Sequence, residues 1–309
     1  MEKCAFIFPG QASQYVGMGQ DLCAAFPAAR ACFDEADEVL GYSLSELCFS
    51  GPEEELRQTV ITQPAVFVHS AAAWQVLAEA GLEPVCTAGH SLGEYTALVA
   101  AGAFSFSQAL ELVKRRSELM QRAGEEQPGT MVAIIALEDD KVEEVCRQAA
   151  DRGVVVPANF NAPGQVVLSG ELAAVERAGQ LAQEAGAKRV IGLAVGGAFH
   201  SPLMAPAAEK MKGLLEAAEI APPRVPVVCN VTATATEDPE ELRRRLIEQI
   251  TYPVRWSESV LHMVQMGVER AIEVGPGNVL KGMVRRIARD LDVVNAGTAE
   301  EVAALEEKV

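Results

Sequence analysis

The chain reads as an α/β protein. A hydrolase-like large domain carries a mainly parallel sheet and a nucleophile elbow, and a ferredoxin-like small domain is inserted into it. Three observations predict this. The apolar run Val85-Cys86-Thr87-Ala88 leads into Gly89-His90-Ser91-Leu92-Gly93, and residues 94–101 form a helix-prone exit. That is the strand, G-x-S-x-G, helix context of a nucleophile elbow. Short apolar runs closed by glycine or proline alternate with segments of helical spacing on both sides of it. From about residue 124 to 197 the order becomes strand, helix, strand, strand, helix, strand, the ferredoxin-like arrangement. The expected boundaries are 1–124, 125–197 and 198–309, the outer two forming one large domain.

In chain order, Cys4–Phe8 is a short apolar run stopped by Pro9-Gly10, hence a buried strand and a turn. The polar loop Gln11-Ala12-Ser13-Gln14 follows a strand end, where ligands gather in open α/β sheets. Residues 21–40 and 64–80 have helical apolar spacing, as does 107–123, which carries Lys114, Arg115, Arg116, Met120 and Gln121. Residues 124–129 read as an outgoing hinge between two glycines. Strands are then expected at 130–137, 154–158, 165–169 and 189–195, with helices at 138–150 and 171–185. Gly196-Gly197 is the return hinge. Ser201-Pro202 opens a helix to about residue 218, proline being well tolerated in a first turn. A strand at 225–229, helices at 239–249 and 256–266, a strand at 270–274 and a helix at 279–290 after Gly275-Pro276-Gly277 complete the large domain. The tail from Glu300 is acidic and helix-prone.

Composition sets the outer limits. A chain of 309 residues is long enough for a large core and about two domains. Apolar residues at 49% and aromatics at 5% suit an Ala/Val/Leu-rich globule rather than a disordered chain. The net charge of -17 argues against a general nucleic-acid surface. Seven cysteines without a C-x-x-C indicate neither a disulfide framework nor a zinc site. Met1-Glu2-Lys3-Cys4 enters a strand-like run at once, with no secretory pattern and no long apolar span, so a cytoplasmic protein with no membrane partner is expected.

A serine hydroxyl is a weak nucleophile until a base takes its proton. Four histidines are available. His69 and His262 lie inside helical segments and read as satisfied helix residues. His90 adjoins Ser91 but should point away from it and support the elbow. His200 follows Gly196-Gly197-Ala198-Phe199, a flexible strand exit, just before a helix start. Loops at strand ends carry catalytic side chains because the scaffold positions them. The plain alternative is a residue beside a helix cap with no chemistry. No acidic third member stands out, so a backbone or amide carbonyl is the alternative orienting group.

Phe8-Pro9-Gly10-Gln11, the elbow, Arg116 ahead of Met120-Gln121, and Ala198-Phe199-His200-Ser201 together resemble malonyl-CoA:acyl-carrier-protein transacylases. These are bacterial fatty-acid-synthesis acyltransferases related to polyketide synthase acyltransferase domains. Asn159-Phe160-Asn161-Ala162-Pro163-Gly164-Gln165, Tyr252-Pro253-Val254-Arg255-Trp256 and Glu273-Val274-Gly275-Pro276-Gly277 extend the resemblance over residues 4 to about 290. One departure is Ala12, where the family usually has glycine; alanine disfavours positive φ.

The resemblance implies that Ser91 attacks the thioester of malonyl-CoA, with His200 as general base held by a main-chain carbonyl at Gln249. It implies an oxyanion hole from the main-chain N–H groups of Gln11 and Leu92. Arg116 would bind the malonyl carboxylate through paired charge-assisted bonds. From the residues alone a solvated helix face competes, because Lys114 and Arg115 adjoin it. Met120 and Gln249 join the substrate site, and Phe199 would narrow it against branched acyl groups. No metal and no cofactor is implied, since malonyl-CoA is a substrate.

The second partner would be acyl carrier protein, which is acidic and needs a local positive patch on this acidic chain. Lys281, Arg285 and Arg289, spaced i, i+4, i+8 on one expected helix face with Arg286 adjacent, are one candidate; Lys188-Arg189 is the other. A monomer serving fatty acid biosynthesis is expected. Three alternatives stand beside this reading. They are a serine esterase, with no use for an arginine at an acyl carboxylate; a polyketide acyltransferase acting in trans; and a catalytically silent carrier-protein-binding module.

Overall fold

The computed structural model describes residues 3–306. The chain ends within the expected ranges, 1–2 and 307–309, lie outside the described residues, and with them the Met1-Glu2 part of the N-terminal reading. The strands are β1 (Cys4–Phe8), β2 (Cys86–Gly89), β3 (Thr130–Ile135), β4 (Val155–Ala162), β5 (Gln165–Gly170), β6 (Arg189–Gly192), β7 (Val227–Val228), β8 (Ala235–Thr236), β9 (Arg270–Val274) and β10 (Asp292–Ala296). They form two sheets. The larger has the order β10-β9-β1-β2-β7-β8 and is parallel except for the β7–β8 pair.

In β1 and β2 the side chains of Ala5 to Phe8 and Cys86 to Ala88 are all buried. A strand covered on both faces needs a continuous apolar run rather than alternation. Ile7 pairs with Ala88 and Phe8 with Gly89. The loop after β1 and the elbow after β2 therefore leave the same carboxyl edge, side by side. The parallel neighbour β7 sends Asn230 to that edge as well.

The second sheet, β4-β5-β3-β6, is antiparallel throughout and is built between residues 130 and 192. Its two faces divide by the strand period of two. Ile134, Val166 and Leu168 pack with the helices Asp139–Ala149 and Leu172–Glu184, while Met131, Ala133 and Val167 join the main core. The observed element order is strand, helix, strand, strand, helix, strand, as the periodicity predicts.

Several boundaries differ from expectation for local reasons. The stretch 21–40 is two helices, Gln20–Ala25 and Pro27–Leu40, because Phe26 is extended ahead of a proline, as sterics require. The helix expected to open at Pro64 begins five residues earlier, as Thr59–Glu79, with Pro64 inside it. It is buried on nearly every side, so burial rather than propensity decides its length. The helix Phe106–Glu126 runs through Gly124, so Gly124 is not a hinge residue and only 127–129 link to β3. A methyl at Gly124 would lie 2.1 Å from the Gly196 carbonyl oxygen, so the glycine marks a close crossing. Two edge strands are absent from the expectation: β8 has only two residues, and β10, though as long as β1, has only Val293 and Ala296 buried and so does not form a continuous apolar run. Among the described residues no helix is long and apolar enough to cross a membrane.

Candidate active site

Ser91 sits at φ 51°, the left-handed region that costs a non-glycine residue about 1–2 kcal/mol. The turn holds it there because two neighbours have no side chain. A methyl at Gly89 would lie 1.9 Å from the Gly93 carbonyl carbon, and one at Gly93 would lie 2.1 Å from the Phe8 oxygen. Asn230 ties the elbow from β7: the Ser91 N–H donates to its Oδ1 at 2.7 Å, and its Nδ2 donates to the Gly89 oxygen at 2.6 Å. The departure at Ala12 is real strain: the alanine adopts φ 76°, and its N–H donates to Gln14 Oε1 at 2.8 Å.

His200 is the histidine that reaches the serine. Its Nε2 lies 2.8 Å from Ser91 Oγ, and its Nδ1 lies 2.8 Å from the main-chain oxygen of Gln249. A carbonyl only accepts, so the proton resides on Nδ1 and the Nε2 lone pair faces the hydroxyl. Burial, with the Arg116 charge second, pushes the imidazole pKa from 6.5 down to about 3. The ring is therefore neutral and able to take a proton.

The other histidines fall elsewhere. His90 turns away, its Nε2 2.8 Å from Asn161 Oδ1 and its ring edge-on to Trp256, so it braces the elbow. His262 accepts the Ala235 N–H at 3.2 Å, as a satisfied helix residue should. His69 is fully buried in its helix, away from Ser91, and burial pushes its pKa down to about 4, opposed by Asp21 and by the main chain of Gly297.

Arg116 is fully buried, whereas Arg115 pairs with Glu118 at the surface and Lys114 donates to the Leu40 oxygen at 3.0 Å. The solvated-face alternative therefore fails for Arg116 and holds for its neighbour Arg115. Arg116 Nη2 donates to Ser91 Oγ and to Gln249 Oε1, both at 3.0 Å, and Nη1 donates to Gln63 Oε1 at 2.5 Å. Its guanidinium carbon lies 5.7 Å from the centre of the Tyr95 ring. Burial lowers its pKa, opposed by Tyr95 and Glu94.

Gln249 links most of these groups. Besides its main-chain bond to His200, its Nε2 donates to the Ser91 oxygen at 2.9 Å and to Glu94 Oε2 at 3.0 Å. Gln63 Nε2 reaches Gln11 Oε1 at 3.3 Å and Met120 Sδ at 3.6 Å, so both expected residues border the cluster. Leu92 and Phe199 are buried. Ser91, His200, Arg116, Gln249, Gln11 and Met120 thus converge from five separate segments, Arg116 and Met120 sharing one helix. Gln63, Glu94 and Asn230 belong to the same cluster without any motif to announce them.

The basic residues expected at a docking face are apart from this cluster. The helix Val279–Ile287 ends before Arg289, so Arg289 does not continue the face of Lys281 and Arg285. Arg286 is tied to the small sheet, donating to Gln165 Oε1 at 2.6 Å and to the Pro163 oxygen at 3.0 Å. Arg285, Arg289 and Lys188 are exposed and Lys281 is half-buried.

Comparison with known proteins agrees with this geometry. Residues 5–306 match the family described as acyl transferase domain. The chain is 46% identical over 303 residues to the malonyl CoA-acyl carrier protein transacylase of Bacillus subtilis, covering 98% of this chain and 96% of that one. The protein of the same name from Escherichia coli K12 is 44% identical, over 99% and 98% of the two chains. Among solved structures, an acyl carrier protein S-malonyltransferase from Vibrio cholerae superposes with a TM-score of 0.95 at 47% identity, covering 98% of this chain and all of that one. A malonyl-transacylase in complex with its type II PKS acyl-carrier protein gives 0.97 at 44% identity, with both chains covered completely.

Proposed function

The chain belongs to the acyl transferase domain family, and we propose that it carries a malonyl group from malonyl-CoA to the phosphopantetheine thiol of acyl carrier protein through a malonyl ester on Ser91. The observation that carries this reading is a fully buried arginine within hydrogen-bond distance of a serine that is also paired to a neutral histidine. A malonyl thioester has its free carboxylate one methylene from the reacting carbonyl. Only an anion-binding group adjacent to the nucleophile reaches both ends of so short a chain, and a guanidinium binds a carboxylate through two parallel bonds.

The steps follow from the atoms present. Ser91 Oγ attacks the thioester carbonyl as His200 Nε2 takes the hydroxyl proton. The imidazolium is steadied by the Gln249 carbonyl at Nδ1, and the oxyanion by the N–H groups of Gln11 and Leu92. Preorganised donors of that kind contribute about 3–4 kcal/mol each to the transition state. As the intermediate collapses, the C–S bond breaks and His200 returns the proton to the leaving thiolate, giving free CoA. The carrier thiol then attacks the ester carbonyl, giving its proton to His200, and Ser91 leaves with that proton. This chemistry requires no metal and no resident cofactor.

The rest of the reading stands on the same basis. The small sheet is a ferredoxin-like insertion, 125–197, in a hydrolase-like large domain, and Phe199 restricts the acyl pocket to unbranched groups. The protein is a cytoplasmic monomer serving fatty acid synthesis. Acidic carrier protein docks on Lys281 and Arg285, with Arg289 just beyond the end of their helix; Lys188-Arg189 in the small sheet is the second candidate face.

The test is intact-mass measurement after brief exposure to malonyl-CoA. Wild type should gain one malonyl group, mapped to Ser91, and lose it on addition of carrier protein bearing phosphopantetheine. Ser91→Ala should gain none. The double variant K281E/R285E should load normally but discharge about tenfold more slowly. A wild-type protein that takes no adduct would leave only the silent binding module, and loss of the adduct to water as fast as to carrier protein would favour the esterase.

A further inference from the structure

We propose that Glu94, directly after the elbow glycine, is a positioning residue that sets which way round the Gln249 amide is held, and through it where the Arg116 guanidinium lies beside Ser91. The inference rests on the reading of Arg116 as the malonyl-binding group. Glu94 is 1% exposed and stands in the first turn of the helix Gly93–Ala100. Its Oε2 accepts two hydrogen bonds at 3.0 Å, from the main-chain N–H of Asn230 and from Gln249 Nε2.

The two ends of an amide side chain have nearly the same shape, so its orientation is decided by what surrounds it. One end of Gln249 faces two pure acceptors, Glu94 Oε2 and the Ser91 carbonyl, and must therefore be the NH2 end. The other end is then the oxygen, which faces Arg116 Nη2, a pure donor. Replacing the carboxyl group by a hydrocarbon removes one of the two acceptors that hold this sense. The reversed amide would set donor against donor at the guanidinium, whose remaining anchors are Gln63 Oε1 and the nucleophile itself.

The consequence is selective. Gln249 orients His200 through its main-chain oxygen, which does not turn with the side chain. Loss of Glu94 should therefore weaken recognition of the acyl carboxylate more than the serine–histidine pair, which keeps its own bonds and loses only the Asn230 N–H anchor behind the elbow. An acceptor oxygen is required rather than a full negative charge. Burial raises the carboxyl pKa to about 7, so the group is part-protonated near neutrality. Oε1 has no partner among the described residues and can carry that proton while Oε2 goes on accepting.

The experiment compares Ser91 acylation by malonyl-CoA and acetyl-CoA, followed by intact mass, in wild type, E94L and E94Q. E94L should slow both donors but malonyl-CoA the more, lowering the malonyl-over-acetyl ratio of kcat/KM about tenfold through a higher KM for malonyl-CoA. E94Q, which retains an oxygen at the accepting position, should keep the wild-type ratio. E94D, which draws the acceptor back by one methylene, is read in the same way as E94L if that variant does not fold. An unchanged ratio in folded E94L or E94D would overturn the proposal, and so would equal slowing of both donors. A fall in E94Q as large as in E94L would overturn it too, by assigning the effect to charge. Failure of the wild type to take malonyl on Ser91 is a different result, and it would remove the functional reading itself.

Discussion

At His200 the surroundings matter more than the residue type. An exposed imidazole would be half protonated near 6.5, but burial and the neighbouring Arg116 hold this one near 3. The folded state therefore binds fewer protons than the unfolded chain between those values. The stability this group contributes is present above about 6.5 and is lost as pH falls toward 3. Glu94 has the opposite sign: raised to about 7, it contributes stability below its ordinary 4.5 that is lost as pH rises through 7. NMR of the free protein tests the first statement. The His200 ring carbons should keep neutral-imidazole shifts from pH 8 to about 5, and a titration near 6.5 would show the ring to be solvated or unpaired. Ser91, His200 and Arg116 are legible in the sequence because each lies in a short motif. Gln63, Glu94 and Asn230 are not, because a buried amide or carboxylate takes its meaning from partners up to 155 positions away.

At the scale of elements, the site depends on crossings that side chains would block. Helix Phe106–Glu126 delivers Arg116 and then passes Gly196, on the strand exit that delivers His200. A methyl at Gly124 would stand 2.1 Å from backbone that cannot rotate away, so helix and strand exit would have to separate. Gly124→Ala is expected to cost about 1–3 kcal/mol, with a lower Tm and slower Ser91 acylation together. An unchanged Tm would show that the crossing is loose. The sequence marks Gly124 only as a break in helical pattern, and a hinge and a close contact look alike there. Proline misleads in a similar way at Pro64, since its preference for first turns suggests a helix start that burial of the preceding turn overrides. Arg289 illustrates the reverse error: regular spacing of basic residues continues past the last helical turn.

Over the whole molecule, one parallel sheet gathers the site by placing the ends of β1, β2 and β7 at a single edge. The small sheet leans on the main core through Met131, Ala133 and Val167, and its two connections bring the arginine helix in and the histidine loop out. Alternating elements make that architecture readable, β7 included, whereas the two-residue edge strand β8 is set by tertiary pairing alone. The central claim is that this assembly holds a cationic acyl-carboxylate receptor against an activated serine. Rates of Ser91 acylation by malonyl-CoA and acetyl-CoA, measured side by side in wild type and R116A, test it most directly. The malonyl rate should fall about a hundredfold in the variant while the acetyl rate stays within about threefold. Equal loss of both rates, or a malonyl rate that survives the substitution, would contradict it.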